Sequence, residues 1–104
     1  MKVRKENEIL FLIPETDLIA NRIEELRDYF AEQLNAHPDV SRILLDVSGI
    51  GSVDSLGVNL IVGLYRQVTS ESKTIEIIGA GENFMKVAGF FRLTSLFPVK
   101  EKES

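Results

Sequence analysis

Residues 49–67 read GIGSVDSLGVNLIVGLYRQ, a short polar knot, Ser52-Val53-Asp54-Ser55, set between two apolar runs. Upstream, RILLDV at residues 42–47 has the length and continuous apolar character of a buried strand. Downstream, Val58, Ile61, Leu64, Tyr65 and Val68 recur at helical spacing, which predicts a helix from about Asp54 to Ser70. Leu56, Leu60 and Val62 extend its apolar surface beyond one stripe, so both of its sides are expected to be covered. Asp54 or Ser52 can cap the helix by accepting a hydrogen bond from a first-turn amide. Capping needs only one acceptor, however, and Ser52, Asp54 and Ser55 supply three polar side chains. Gly57 costs a helix about 1 kcal/mol relative to alanine. Its presence is read as room for the close approach of another protein to a hydroxyl held at a strand-to-helix turn.

The rest of the chain supplies the partners of this strand and helix. MKVRKENEILFLI predicts two short strands around a turn at Glu6-Asn7, the second, Ile9 to Ile13, covered on both faces. Pro14 ends it. A helix is expected from Asp17, capped by that residue, with Ile19, Ile23, Leu26, Phe30 and Leu34 buried and Arg22, Glu25, Asp28 and Glu32 in water. His37 and Pro38 break that helix. After α-helical residues 54–70, TSESK is a polar turn and TIEII a third core strand. GAGEN opens a short helix whose buried residues are expected to be Phe84, Val87, Ala88 and Phe91. LFPV is read as a last strand, and residues 100–104, KEKES, as a frayed tail. The order β-β-α-β-α-β-α-(β) describes one α/β domain over residues 1–104 with mostly parallel strands. In such sheets functional groups collect at the carboxyl ends of the strands, where the knot lies.

Bulk properties narrow the function classes. The 104 residues are 44 % hydrophobic and 27 % charged, as in a folded soluble domain. A formal net charge of −4 without a basic stripe argues against direct nucleic-acid binding. No apolar run approaches the roughly 20 residues that span a bilayer, and the short apolar segment after the basic amino terminus lacks a cleavage site, so it is not read as a signal peptide. The sequence has no cysteine, which removes disulfides and thiolate chemistry and fits a cytoplasmic setting.

Catalysis finds little support. GIGSVDS lacks the lysine of a phosphate-binding loop, and GAGENF lacks the third glycine of a dinucleotide turn. Asp46 and Asp54 have no third carboxylate at ligand spacing and are read as solvated or capping groups. The single histidine, His37, sits at a helix end, where it stabilises, and no serine–histidine–aspartate relay can be drawn. No cofactor, metal or catalytic residue is expected.

ILLDVSGIGSVDSLGVNLIVGLYRQV resembles the signature of the STAS domain family, in particular its stand-alone bacterial anti-sigma factor antagonists. Asp54, Ser55 and Gly57 match the family's Asp-Ser-Ser/Thr-Gly motif, PETD stands where a Gly-Glu-Leu-Asp turn is usual, and FFRLTSLFPV is similar to the closing segment. The resemblance covers nearly the whole chain. It departs at Leu56, which replaces a hydroxyl residue, at Asn59, often glycine, and at Pro14. The resemblance implies a STAS-like α/β fold, a mixed and mostly parallel sheet of four to five strands with helices packed on it. It also implies a non-enzymatic role: binding an anti-sigma factor that is a serine kinase, release on phosphorylation, and reset by a serine phosphatase. Ser55 is then the phosphoacceptor, and Glu15, Asp17, Ser52, Asp54, Leu56, Gly57 and Asn59 belong to the partner-binding surface. The chain is expected to be a monomer or weak dimer. An alternative with the same fold is a scaffold subunit of a larger signalling or lipid-transport assembly.

Overall fold

Asn7 adopts a left-handed backbone with φ of 56°, a conformation that asparagine tolerates better than most residues. It folds the first strand, β1 (Lys2–Glu6), back on the second, β2 (Ile9–Ile13), so that Glu6 pairs with Ile9. The turn is therefore Asn7-Glu8, one residue later than expected. The computed structural model describes residues 1–102. Its remaining elements are α1 (Ile23–Ala36) after a 3₁₀ turn at Ala20–Arg22, β3 (Arg42–Asp46), α2 (Ser55–Ser70), β4 (Thr74–Ala80), α3 (Glu82–Phe90), a second 3₁₀ turn at Leu93–Ser95, and β5 (Val99–Glu101).

The strands lie in chain order, β1-β2-β3-β4-β5. β1 is antiparallel to β2 and all later pairs are parallel. Parallel neighbours joined by right-handed crossovers that always step the same way place their helices on one face of the sheet. Register and burial agree with this. Leu10, Ile43 and Ile75 stand abreast, as do Leu12, Leu45 and Ile77. All six are buried in one core with Leu26, Phe30 and Leu34 of α1, Val58, Ile61, Leu64 and Val68 of α2, and Phe84 and Ala88 of α3. Burying one such side chain contributes about 1.5–3 kcal/mol.

The alternate residues Ile9, Phe11, Ile13, Leu44 and Ile78 take no part in that core. The helical cover expected on both faces of β2 is thus present on one only. Phe11 is shielded instead by the guanidinium of Arg4, 4.2 Å from its ring centre on the paired strand. Other expectations shift for similar reasons. Ile19 and Ile23 are half-buried because they precede or open α1. Phe91 falls just past α3 and is 41 % exposed, while Phe90 is 81 % exposed. Tyr65 is half-buried, its ring tilted against Phe97 at 5.6 Å. Lys100 and Glu101 do not fray: β5 spans them, with Glu101 beside Ala80 and the Lys102 amide donating to the Ala80 carbonyl at 2.7 Å. Residues 103 and 104 of the expected tail lie outside the described residues. Among those described, no helix is long and apolar enough to cross a membrane.

Candidate functional site

At the carboxyl edge of the sheet the loop after β2 (residues 14–19) and the loop after β3 (residues 47–54) are stitched together by two aspartates. Asp54 is the N-cap of α2: Oδ1 accepts from the Gly57 amide at 2.9 Å. Its Oδ2 accepts from the Ala20 amide of the neighbouring loop at 3.0 Å. Asp17 reciprocates, its Oδ1 accepting from the amides of Gly51 at 2.8 Å and Ser52 at 3.1 Å. Between them Leu18 and Val53 form a short parallel bridge, with the Leu18 amide donating to the Ser52 carbonyl and the Asp54 amide to the Leu18 carbonyl.

Asp17 is therefore not the cap of α1, which begins six residues later behind a 3₁₀ turn. Two loop amides that lack sheet partners claim its carboxylate instead, as buried or constrained backbone donors must be satisfied. Asp54 gains from its donors electrostatically. The Gly57 amide above all, with lesser help from the Ala20 and Leu56 amides, holds its carboxyl below the ordinary carboxylate value against desolvation, which opposes it more strongly than either of the lesser donors helps. Asp46, read with Asp54 as a carboxylate pair, is occupied by its own turn, accepting from the Ser48 amide at 2.9 Å.

Gly57 is buried, and its missing side chain has an internal cause. A Cβ there would lie 2.0 Å from the Leu18 carbonyl oxygen. The reading of Gly57 as a clearing for a partner is overturned: the neighbouring loop already fills that space. Ser55, the first residue of α2, is exposed. Its hydroxyl makes no hydrogen bond among the described residues, because Asp54 performs the capping. Of the first four amides of α2, Gly57 is bonded to Asp54 Oδ1 and Val58 to the Asp54 carbonyl. The Leu56 amide also leans on the Asp54 carboxylate, which leaves the Ser55 amide as the first-turn donor without a partner among the described residues.

The other candidates fall around this centre. Ser52 is exposed on the loop. Glu15 is exposed and pairs with the amino-terminal ammonium at 3.4 Å. Leu56 is 48 % exposed beside Ser55, and Asn59 is exposed one turn on. The outer side of α2 is thus not covered as expected but borders an open groove against α1. Two contributors escaped the sequence reading. Leu18, fully buried, is what Gly57 packs against, and Asn83 of α3 reaches the Gly51 carbonyl at 3.5 Å. The apolar residue closing PETDL was the available signal for the first; none marked the second.

A single-sheet α/β domain with its strands in chain order and its helices on one face has the fold of a STAS domain. The family model described as "Mlab, STAS domain" matches residues 14–98, most of the sequence, and the chain belongs to that family. Among solved structures it is similar to an anti-sigma factor antagonist, described as such only provisionally, from Thermotoga maritima: TM-score 0.86 at 17 % identity, over 96 % of this chain and 85 % of that one. It is similar to the anti-sigma factor antagonist SpoIIAA in its unphosphorylated form, with TM-score 0.69, 16 % identity and coverage of 99 % and 88 %. SpoIIAA of Bacillus in the phosphorylated form matches at TM-score 0.64 and 19 % identity, with coverage of 94 % and 88 %. It is also similar to part of murine Solute Carrier 26 family member A9, an anion transporter, at TM-score 0.81 and 14 % identity over 96 % of this chain and 17 % of that one. At these identities the likeness is one of fold. No curated protein sequence matches significantly.

Proposed function

We propose that this chain is an anti-sigma factor antagonist that binds an anti-sigma factor with serine-kinase activity while Ser55 is unmodified, and is released when that kinase phosphorylates Ser55. A serine phosphatase resets it, and the cycle controls access of a sigma factor to RNA polymerase. One observation carries the reading. Asp54 caps α2, so the exposed Ser55 hydroxyl has no structural duty and is free for chemistry. The family membership supports it, as does the likeness to SpoIIAA, a protein solved in both unphosphorylated and phosphorylated forms.

The physics of the switch is electrostatic. A phosphate adds roughly −1.5 to −2 charges at neutral pH. On Ser55 it meets the positive end of α2, so the fold tolerates it. It also stands next to Asp54, with Asp17 on the adjoining loop. Like charges pressed together in an interface cost several kcal/mol, and about 1.4 kcal/mol is a tenfold change in affinity. Release therefore requires a new charge at the contact and no refolding. Incubation with the candidate kinase and ATP, followed by peptide mass mapping, is expected to place one phosphate on Ser55. Ser55→Ala is expected to bind the kinase and resist labelling; full labelling of that variant would contradict the assignment.

Leu56 favours a second reading. Its half-exposed side chain puts an apolar group beside Ser55 where the family pattern has a hydroxyl, which suits constitutive docking in a larger signalling or lipid-transport assembly. Stable co-purification in such a complex, indifferent to ATP and phosphatase, distinguishes this role from the switch.

A further inference from the structure

Gly63 lies mid-way along α2, and apart from its chain neighbours and the helix's own nearby backbone no atom of the described residues is within 4 Å of the place its Cβ would take. Glycine is among the least favourable residues inside a helix. At Gly57 the cause is visible in the Leu18 carbonyl; at Gly63 the chain's own packing offers none. Gly63 borders a groove of about 460 Å³ between α1 and α2, lined also by Ile23, Phe30, Leu56 and Leu60. Leu56, the neighbour of Ser55, makes the groove continuous with the switch surface. Arg27 is the single charged residue of the lining, and it has no ion pair among the described residues.

We propose that this groove receives an amphipathic helix of the protein that docks at Ser55, with aliphatic side chains entering beside Gly63 and a carboxylate meeting Arg27. The proposal rests on the reading of Ser55 as the partner-facing switch. A missing side chain lets a second helix approach closely, and a cleft between two helices accepts the ridge of a third. A recess suits incoming side chains, whereas a bilayer needs apolar groups that protrude. The protruding aromatic pair of this chain, Phe90 and Phe91, is followed by Arg92. A second copy of the chain inserting that pair would bring a cation toward Arg27, so a different protein with acidic residues is the better occupant.

The test measures affinity for the kinase that labels Ser55, together with thermal melts, for wild type, Gly63→Gln, Arg27→Glu and Ser55→Asp. Gly63→Gln has open space and a better helix former, so its Tm is expected at or above that of wild type. Both groove variants are expected to lose at least about tenfold in affinity, and Arg27→Glu to be rescued by a Glu→Lys or Asp→Lys change in the partner's helix. If both groove variants bind within about twofold of wild type while Ser55→Asp is weak, the groove is not part of the interface and the switch stands. If they are weak while Ser55→Asp binds normally, the groove stands and the switch falls. If Gly63→Gln instead abolishes self-association in sedimentation and leaves kinase affinity intact, the occupant is a second copy and the proposal is wrong.

Discussion

Two glycines of one helix carry opposite expectations. At Gly57 an added methyl would meet the Leu18 carbonyl oxygen, a backbone atom that cannot move aside. Gly57→Ala is therefore expected to destabilise the domain by about 1–3 kcal/mol in denaturant titrations. At Gly63 the same methyl meets nothing, so Gly63→Ala is expected to stabilise by up to roughly 1 kcal/mol. Equal effects of the two changes would show that the contact between the loops is not what fixes Gly57. Asp54 adds a pH signature. Its carboxyl is held low in the folded state by the Gly57 amide and then the Ala20 amide. A depressed folded pKa means that the stabilisation is complete above the unfolded value, about 3.9, and fades as pH falls through the folded one. Asp54→Ala is thus expected to lower Tm at neutral pH, and its gap from wild type to narrow as pH falls from about 5 through the folded value. A constant gap across that range would contradict the charged cap.

Each loop at the sheet's carboxyl edge depends on the other for its hydrogen bonds. Asp17→Ala removes the acceptor of the Gly51 and Ser52 amides while leaving the Asp54 cap on α2. Faster hydrogen exchange at those two amides, with protection of α2 retained, is the expected result; unchanged exchange would show that the loops hold without it. The same coupling explains which elements could be read from the sequence. The order of strands and helices and the span of α2 follow from local periodicity and a cap three residues from its donor. The start of α1 does not, because Asp17 has every local mark of a cap while the amides that claim it sit at 51 and 52. Gly57 misleads in the same way, since Leu18 belongs to another loop. The last strand, read at LFPV, lies three residues later at Val99–Glu101 for a different reason: polar residues such as Lys100 and Glu101 pair with an edge through their backbone, which leaves no apolar pattern. What was legible of the site, a capping aspartate and a free serine, is local. What was not, the reciprocal aspartates and the α1–α2 groove, is made by contacts between elements distant in sequence.

With all three helices on one face, the molecule keeps a second sheet face where Arg4 lies over Phe11, and an edge of β4 that β5 protects. Truncation after Pro98 removes that protection and is expected to lower stability and promote self-association, as unpaired strand edges do; an unaltered monomer of unaltered Tm would show β5 to be dispensable. The site edge is built differently, from hydrogen bonds that leave Ser55 out, so the molecule can accept charge there without loss of its core. The most direct measurement takes protein phosphorylated on Ser55 and compares it with the unmodified form, recording amide NMR spectra and affinity for the kinase partner. Spectral changes confined to the loops around residues 17–20 and 49–58 are expected, with affinity reduced by about a hundredfold or more. Affinity equal in the two forms, or a spectrum changed throughout the sheet, would contradict the switch.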